Sequence, residues 1–297
     1  MLRTLANTLR PQALLGFELP PTPLRVDELP SLLPGAEALR VQAPAGAQLL
    51  LISAASPLWL AFEATLFDLL AESRFPSPAP RRAHGGNLIA QLEGPSGPAA
   101  AACYAWPAGE TIAPQQASTP QLLEVGRLLA RLHVVGADHP AFISEPCDGD
   151  ALSARLPAGA GVERISQALR RSHGPLPTGA VHGSPGPACF LFVRNRVTGL
   201  MPAGTACTAP LLLDLAEALV DWALSLAEPM PAMRAIVSGY QSLRRLEASE
   251  RAELPGMFEH AAARADARAM IAGHRSSATA LAAALALEAP ELRALAG

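Results

Sequence analysis

The stretch AVHGSPGPACFLF, residues 180–192, decides the fold of this chain. It has an apolar start, a turn rich in glycine and proline after His182, and an apolar end. A second stretch, RVTGLMPAGTACTAPLLLDLA, follows at residues 196–216 and contains further glycine and proline residues before a helix-like apolar end. Glycine and proline are the strongest local markers of turns. The pattern therefore predicts two loops held between short apolar segments.

The first hundred residues are predicted to form mostly sheet with one helix. Two apolar runs at residues 38–42 and 48–52 flank a Pro-Ala-Gly turn, which is typical of a β-hairpin. Residues 58–70 carry apolar side chains at three- and four-residue spacing, which indicates a helix. Residues 1–25 end near consecutive prolines and are interpreted as an N-terminal appendage, so that residues 26–106 form the predicted N-lobe.

The remainder, residues 107–297, is predicted to be a helical C-lobe that contains both loops. A helix is indicated from the capping residue Thr119 to His133, because Pro120 stands at the first helical position. Helical periodicity recurs at residues 211–227, 232–245 and 249–272. An alanine-rich helix without evident chemistry is predicted after His274.

The charge distribution argues against nucleic acid and membrane as partners. The formal net charge is -3, and the arginines are scattered along the chain rather than gathered into a basic stripe. No apolar run approaches the roughly 20 residues that a membrane-spanning helix needs. The expected partner is a small molecule or another protein, and apolar C-lobe helices would be compatible with a homodimer.

Lysine is absent, and all 23 basic residues are arginine. Schiff-base chemistry and phosphate sites built on lysine are therefore excluded. The four cysteines are far apart without a CxxC pair, and the first twenty residues do not form the apolar segment of a secretory leader. A reducing cytoplasm is the expected location. The cysteines are Cys103, Cys147, Cys189 and Cys207.

Several segments together resemble the homoserine kinase branch of the aminoglycoside phosphotransferase and choline kinase superfamily. The two loop stretches match its catalytic and metal loops, and the match runs over roughly residues 38–272. Shorter matching segments are FPSPAP at residues 75–80, GRLLARLH at 126–133, ALVDW at 218–222 and GYQSLRR at 239–245. The resemblance implies an α+β, two-lobed protein-kinase-like fold, with a small, mostly β N-lobe and a larger helical C-lobe.

The residues that carry chemistry in that family are replaced here. The catalytic loop of the family reads His-Gly-Asp, four residues, then Asn, whereas this chain has Ser184 and Cys189 at those two positions. The metal-binding Asp corresponds to Pro202, and the N-lobe lysine corresponds to Leu51. The His182-Gly183 pair is kept, and the resemblance implies that Asp214 braces the catalytic loop through backbone N–H groups.

These replacements suggest a pseudokinase with a degenerate active site, which does not transfer phosphate and binds a small molecule or a protein partner between its lobes. No metal and no cofactor are expected under this hypothesis. The cleft candidates are His182, Ser184, Cys189, Pro202, Leu51 and Asp214.

Two alternatives stay open at this point. The first is an enzyme that reuses the cleft for non-phosphoryl chemistry through His182, Ser184 or Cys189. The second is a residual kinase for amino alcohols or aminoglycosides, which would use ATP and magnesium and recruit arginines and acidic residues such as Glu63 or Asp68.

Three other residues are interpreted as structural. His133 is expected to interact with the C-terminal dipole of its helix. Asp221 is expected to face solvent or a helix end, and Cys207, like Cys189, to fill the core.

Overall fold

The computed structural model describes residues 2–20, 25–29, 36–44, 46–54, 57–95, 97–143, 149–159, 161–271, 279–287 and 289–295, with side chains from residue 8 onward. Cys147, His274 and the central residue of the Pro-Ala-Gly turn lie outside these ranges. Two lobes follow each other along the chain, and their elements are numbered in chain order.

The N-lobe is a five-stranded antiparallel sheet with one helix on each face. Its strands are arranged in the order β1-β2-β3-β5-β4. The elements are helix α1 (Leu2–Gly16), strands β1 (Arg25–Leu29), β2 (Ala36–Ala43) and β3 (Gly46–Ser53), helix α2 (Pro57–Glu72), and strands β4 (Ala90–Gly94) and β5 (Gly97–Ala105). The predicted hairpin is confirmed as β2 and β3, and the predicted helix as α2.

Alternation along β3 gives the sheet two different apolar faces. Leu50 and Ile52 pack with the buried side chains of α1, such as Leu9 and Leu14. Leu49 and Leu51 belong to the larger core that continues through α2 into the C-lobe. The stretch interpreted as an appendage therefore begins with a helix that covers one face of the sheet. The proposed boundaries of the appendage and the two lobes stay a prediction.

The C-lobe is helical apart from four short strands that carry the loops. Its elements are helices α3 (Thr119–Gly136), α4 (Gly149–Ser153) and α5 (Val162–Leu169), strands β6 (Thr178–Val181), β7 (Phe190–Val193), β8 (Arg196–Leu200) and β9 (Cys207–Pro210), and helices α6 (Leu211–Leu219), α7 (Pro229–Gln241), α8 (Ala248–Ile271), α9 (Thr279–Leu285) and α10 (Ala289–Ala294). A π-helical turn, Val220–Leu224, continues α6. The helices predicted from periodicity are confirmed where the structure describes them.

Helices α3 and α7 cross at two glycines that allow their backbones to touch. A Cβ atom on Gly126 would lie 1.9 Å from the carbonyl oxygen of Ile236, and one on Gly239 would lie 2.0 Å from that of Leu123. Any larger residue would force the helices apart. The crossing brings His133 on α3 beside Tyr240 on α7, with 2.7 Å between Nδ1 and the phenol oxygen.

The predicted two-lobed α+β fold is confirmed by this arrangement. Among the described residues, none of the helices is both long enough and apolar enough to cross a bilayer. The location in the cytoplasm stays a prediction.

Candidate functional site

Two loops between the short C-lobe strands form the centre of the site. The first loop, residues 182–189, joins β6 to β7, and the second loop, residues 201–206, joins β8 to β9. Gly183 has a φ of +80°, and a Cβ atom there would lie 2.3 Å from the carbonyl oxygen of Thr205 in the second loop. Only glycine suits both this left-handed backbone and this close approach. The two loops are therefore packed directly against each other.

Asp214, fully buried on α6, braces the first loop. Its carboxylate accepts hydrogen bonds from the backbone N–H of His182 at 2.7 Å and of Gly183 at 2.8 Å. Burial alone would raise the pKa of Asp214, but the hydrogen bond and charge of His133, together with His182, hold it below its ordinary value. The bracing role implied by the resemblance is confirmed.

His133 lies in the last turn of α3, as the sequence predicts, and it also belongs to this buried network. Its Nε2 lies 3.2 Å from Asp214 Oδ2, and both side chains are fully buried. The imidazole contacts Asp214 on α6 and Tyr240 on α7. The charged partner that explains this position is 81 residues away in the sequence.

His182 connects the two loops through Nε2 and contacts its own loop through Nδ1. Nε2 lies 2.8 Å from the carbonyl oxygen of Met201, and Nδ1 lies 3.3 Å from the backbone nitrogen of Ser184. Burial lowers the pKa of His182. Since both nitrogens face backbone atoms, His182 holds the loops and does not face the Ser184 hydroxyl as a base.

Glu63 ties helix α2 of the N-lobe to the second loop. Its carboxylate accepts hydrogen bonds from the backbone N–H of Gly204 at 2.8 and 3.0 Å and of Ala206 at 3.3 Å. Burial raises the pKa of Glu63 to about 7. Asp68 instead pairs with Arg82 at 3.1 Å near the surface. Glu63 thus holds loop backbone and Asp68 forms an ion pair, and the recruitment of either residue to the chemistry stays a prediction.

The positions where the family places its metal ligands hold poor ligands for magnesium. The Cys189 thiol donates to the carbonyl oxygen of Ser184 at 3.4 Å, and burial raises its pKa to about 12. Pro202 is buried and offers no side-chain oxygen. The described part of the chain contains no group of three or more His, Cys, Asp or Glu that could hold a metal ion. A hard cation such as Mg²⁺ does not fit these positions.

Leu51, at the place of the family's lysine, is buried in the sheet with only 3% of its surface exposed. It packs in the main core and presents no charge to the loops. Ser184 is also largely buried. Contact of a ligand with the six cleft candidates named from the sequence stays a prediction.

Helix α8 brings Arg268 to the first loop and Arg264 to Glu217 on α6. Arg268 donates from Nη2 to the carbonyl oxygen of Gly183 at 3.0 Å, and its Nη1 lies 3.5 Å from Ser184 Oγ. Arg268 Nη2 also lies 3.0 Å from Glu217 Oε1, which accepts a hydrogen bond from Arg264 Nε at 2.7 Å. Sequence reasoning missed these arginines, because regular helical periodicity does not show which loop a helix meets.

Asp221 lies beside the first loop at the edge of a cavity. A Cβ atom on Gly186 would lie 2.7 Å from Asp221 Oδ2. The side chain is half-buried, and burial raises its pKa to about 6 while Arg268 acts in the opposite direction. Asp221 is therefore partly exposed in the first turn of the π-helical segment, as expected from the sequence, and it also packs against the first loop. The cavity has a volume of about 430 Å³ and is lined by Val220, Asp221, Leu224, Ser225, Ala265, Thr279, Ala280 and Ala283.

The chain is similar in sequence to proteins named homoserine kinase. It is 28% identical to one from Hyphomonas neptunium over 213 residues, which is 63% of each chain. It is 33% identical to one from Gluconobacter oxydans over 165 residues, which is 48% of this chain and 50% of the relative. The matches thus span between half and two thirds of these relatives. No family model matches the chain.

Solved structures show the same fold across nearly the whole chain. An amicoumacin kinase in complex with AMP-PNP and Ca²⁺ superposes with a TM-score of 0.65 at 13% identity, covering 92% of this chain and 89% of the other. A microcompartment-associated aminopropanol kinase superposes with a TM-score of 0.64 at 17% identity, covering 93% of this chain and 94% of the other. This chain belongs to the superfamily of homoserine kinases and aminoglycoside phosphotransferases.

This membership corrects two expectations drawn from the sequence. The hypothesis of a pseudokinase with a degenerate active site is wrong, since the relatives and structural neighbours are named as kinases. The expectation of no cofactor is wrong for the same reason, because the amicoumacin kinase is seen with a nucleotide and a divalent cation. Phosphoryl transfer relies mainly on positioning and charge neutralisation, so the loss of particular side chains does not establish the loss of activity.

Proposed function

We propose that this protein is a small-molecule kinase that transfers the γ-phosphoryl group of ATP to the hydroxyl group of an amino alcohol. The observation that carries the proposal is the sequence similarity to homoserine kinases, which includes matches over 63% of the chain. The two-loop frame held by Asp214 and Glu63 supports it, since both carboxylates fix loop backbone from buried positions. The aminopropanol kinase with the same fold is named for an amino alcohol.

The cavity beside the first loop suits the acceptor. Its volume of about 430 Å³ is at the small end of the usual range for ligand pockets. Asp221 would pair with the ammonium group, and the side chains of Ser225 and Thr279 also line the cavity. The apolar lining would contact the short carbon chain between the amine and the hydroxyl. The acceptor hydroxyl would then lie near the first loop, against which Asp221 packs.

The usual metal ligands do not fit magnesium here, so no step is routed through a protein-bound metal. The work that this chain's own residues do is positional. Asp214 and His182 hold the first loop, Glu63 holds the second loop, and Asp221 would hold the acceptor. Proper orientation of two reactants can lower the activation free energy by several kcal/mol, and by about 7 to 11 kcal/mol in favourable cases.

The test is direct detection of the phosphate ester. The purified protein would be incubated with ATP and magnesium and with L-homoserine, 1-amino-2-propanol, ethanolamine or choline, and the products followed by ³¹P NMR. An ester resonance that requires both protein and acceptor is the expected result. If no acceptor of this panel is phosphorylated and ADP is not formed above the rate without acceptor, the proposal is wrong.

A further inference from the structure

We propose that Arg268 is a catalytic residue that places its positive charge against the transferring phosphoryl group, at the loop where the usual metal ligands are replaced. This inference rests on the proposed kinase function. It assigns to an arginine of α8 the charge neutralisation that a kinase requires at this place.

Three contacts fix the guanidinium group of Arg268 at the first loop. It donates to the carbonyl oxygen of Gly183 at 3.0 Å and lies 3.5 Å from Ser184 Oγ. Its Nη2 also forms an ion pair with Glu217 Oε1 at 3.0 Å. Ser184 stands where the resembling kinases have the aspartate that meets the acceptor hydroxyl. The charge of Arg268 is thus located where the acceptor and the phosphoryl group must meet.

The Arg268 side chain is partly exposed to solvent. The side chain of Arg268 keeps 14% of its surface exposed, whereas Arg264, which shares Glu217 Oε1 with it, keeps 1%. Arg264 is therefore a buried partner of Glu217, and Arg268 is the member of the pair that reaches the surface. A guanidinium group donates charge-assisted hydrogen bonds to phosphate oxygens.

Asp221 couples the charge of Arg268 to acceptor binding. Both residues lie at the first loop, and the Arg268 charge acts on the Asp221 carboxyl group. An acceptor ammonium group that pairs with Asp221 neutralises this carboxylate. The positive charge of Arg268 is then less compensated than in the free protein, so its attraction for the phosphoryl group increases when the acceptor is bound.

In the proposed step the acceptor oxygen forms a bond to the γ-phosphorus while the bond from this phosphorus to the bridging oxygen breaks. ADP leaves with the electron pair of that bond, and the hydroxyl proton passes to an oxygen of the new phosphate ester and from there to water. Arg268 donates hydrogen bonds to the equatorial oxygens of the group in transfer. Arginines that act in this way in other phosphoryl-transfer enzymes contribute roughly 10³ to 10⁵ in kcat.

The first measurement is binding of inorganic tripolyphosphate by calorimetry in EDTA, which isolates anion binding from metal. The wild-type protein is expected to bind, and Arg268→Gln is expected to bind at least about tenfold more weakly. Arg127→Gln is the matched control, because Arg127 is an exposed α3 residue paired with Glu124. Failure of the wild-type protein to bind, or equal binding by Arg268→Gln, would overturn the inference.

The second measurement separates kcat from KM in the ester assay. Arg268→Gln is expected to lower kcat by about 100-fold or more with a smaller change in the KM for the acceptor, and Arg268→Lys to lie between it and the wild type because a lysine keeps the charge and loses the fork. If Arg268→Gln does not fold, both measurements are made with Arg268→Lys instead. A kcat and a tripolyphosphate affinity unchanged from the wild type in Arg268→Lys would then overturn the inference. Tripolyphosphate binding that depends on Arg268, in a protein that forms no ester, would refute the proposed function and the catalytic role, and would leave Arg268 as an anion-binding residue.

Discussion

The side chains of His133 and Asp214 meet in the core with 3.2 Å between Nε2 and Oδ2, and neither is exposed. The same histidine contacts the Tyr240 hydroxyl at 2.7 Å, and Arg244 donates to that hydroxyl at 3.0 Å. A chain of polar contacts therefore runs from the half-buried Arg244 to the carboxylate that holds the first loop. Such a network fixes one arrangement of the groups that it joins, because each buried member needs its partner.

Removal of the Asp214 carboxylate is expected to destabilise the fold strongly. Asp214→Ala leaves the backbone N–H groups of His182 and Gly183 buried without their acceptor, and each such donor costs roughly 1–3 kcal/mol. We expect a loss of about 3 kcal/mol or more in the free energy of unfolding, measured by urea denaturation. Asp68→Ala is the control and should cost no more than about 1 kcal/mol, since Asp68 forms a surface ion pair. Equal losses in the two variants would contradict the bracing role.

The fold could be predicted from the sequence because its elements depend on local signals. The hairpin β2–β3 follows from two apolar runs around a turn, and α2 and α3 follow from apolar spacing. Tertiary partners leave no such local signal. The tie between Glu63 and Gly204 spans 141 positions, and that between Arg268 and Gly183 spans 85. Nothing in the residues near Glu63 shows that its carboxylate accepts hydrogen bonds from a distant loop.

The candidate site was predicted where a motif was retained and missed where the chain departs from the family. Asp214 and His182 were found because they keep the family's positions. Asp221 was expected at solvent or a helix end, and its close approach to Gly186 was missed because its sequence neighbours do not show the π-helical turn. The replaced positions suggested a lost function, since a list of missing residues does not reveal which other side chains reach the same loop.

The buried Glu63 is expected to make stability depend on pH. Its pKa is raised from 4.5 to about 7 in the folded protein, so the folded state binds more protons than the unfolded state between these values. The contribution of Glu63 to the free energy of unfolding is therefore complete below about pH 4.5 and is lost as the pH rises toward 7. This loss amounts to at most about 3 kcal/mol. Urea denaturation at pH 5 and pH 8 should show this loss in the wild type.

Glu63→Gln separates this contribution from those of other groups. The amide stays neutral, so the decrease in stability from pH 5 to pH 8 should be smaller in the variant by up to about 3 kcal/mol. Other buried carboxyl groups such as Glu217 titrate alike in both proteins, which cancels their contribution. An identical decrease in the two proteins would show that Glu63 keeps an ordinary pKa in the fold.

Asp221 is expected to control the affinity for the acceptor. Asp221→Asn removes the charge that would pair with an ammonium group, and a hydrogen bond to a charged group contributes about 1.5–3 kcal/mol. We expect the KM for the amino alcohol to increase by about 10- to 100-fold, with a smaller change in kcat. Asp138→Asn is the control, because Asp138 is exposed at the end of α3.

The pH dependence of KM gives a second test of Asp221. Its pKa of about 6 means that the carboxyl group ionises as the pH rises from 5 to 7. The KM of the wild type should fall by about tenfold over this interval, since only the ionised form binds the ammonium group well. In Asp221→Asn this fall should disappear. A fall of the same size in the variant would assign the ionisation to another group.

Cys189 is expected to be chemically inert in the folded protein. Burial raises the pKa of its thiol to about 12 from the ordinary 9, which lowers the thiolate fraction by about 10³ at neutral pH, and the thiolate is the reactive form. Iodoacetamide at pH 8, followed by peptide mass mapping, should leave Cys189 unmodified in the native protein and modify it fully in urea. In Cys189→Ala the rate of ester formation should stay within about threefold of the wild-type rate. The thiol only donates to the Ser184 carbonyl, and a neutral hydrogen bond of this kind contributes little to stability. Rapid modification of the native protein, together with loss of ester formation in a folded Cys189→Ala variant, would instead make Cys189 a nucleophile and would favour non-phosphoryl chemistry at the first loop.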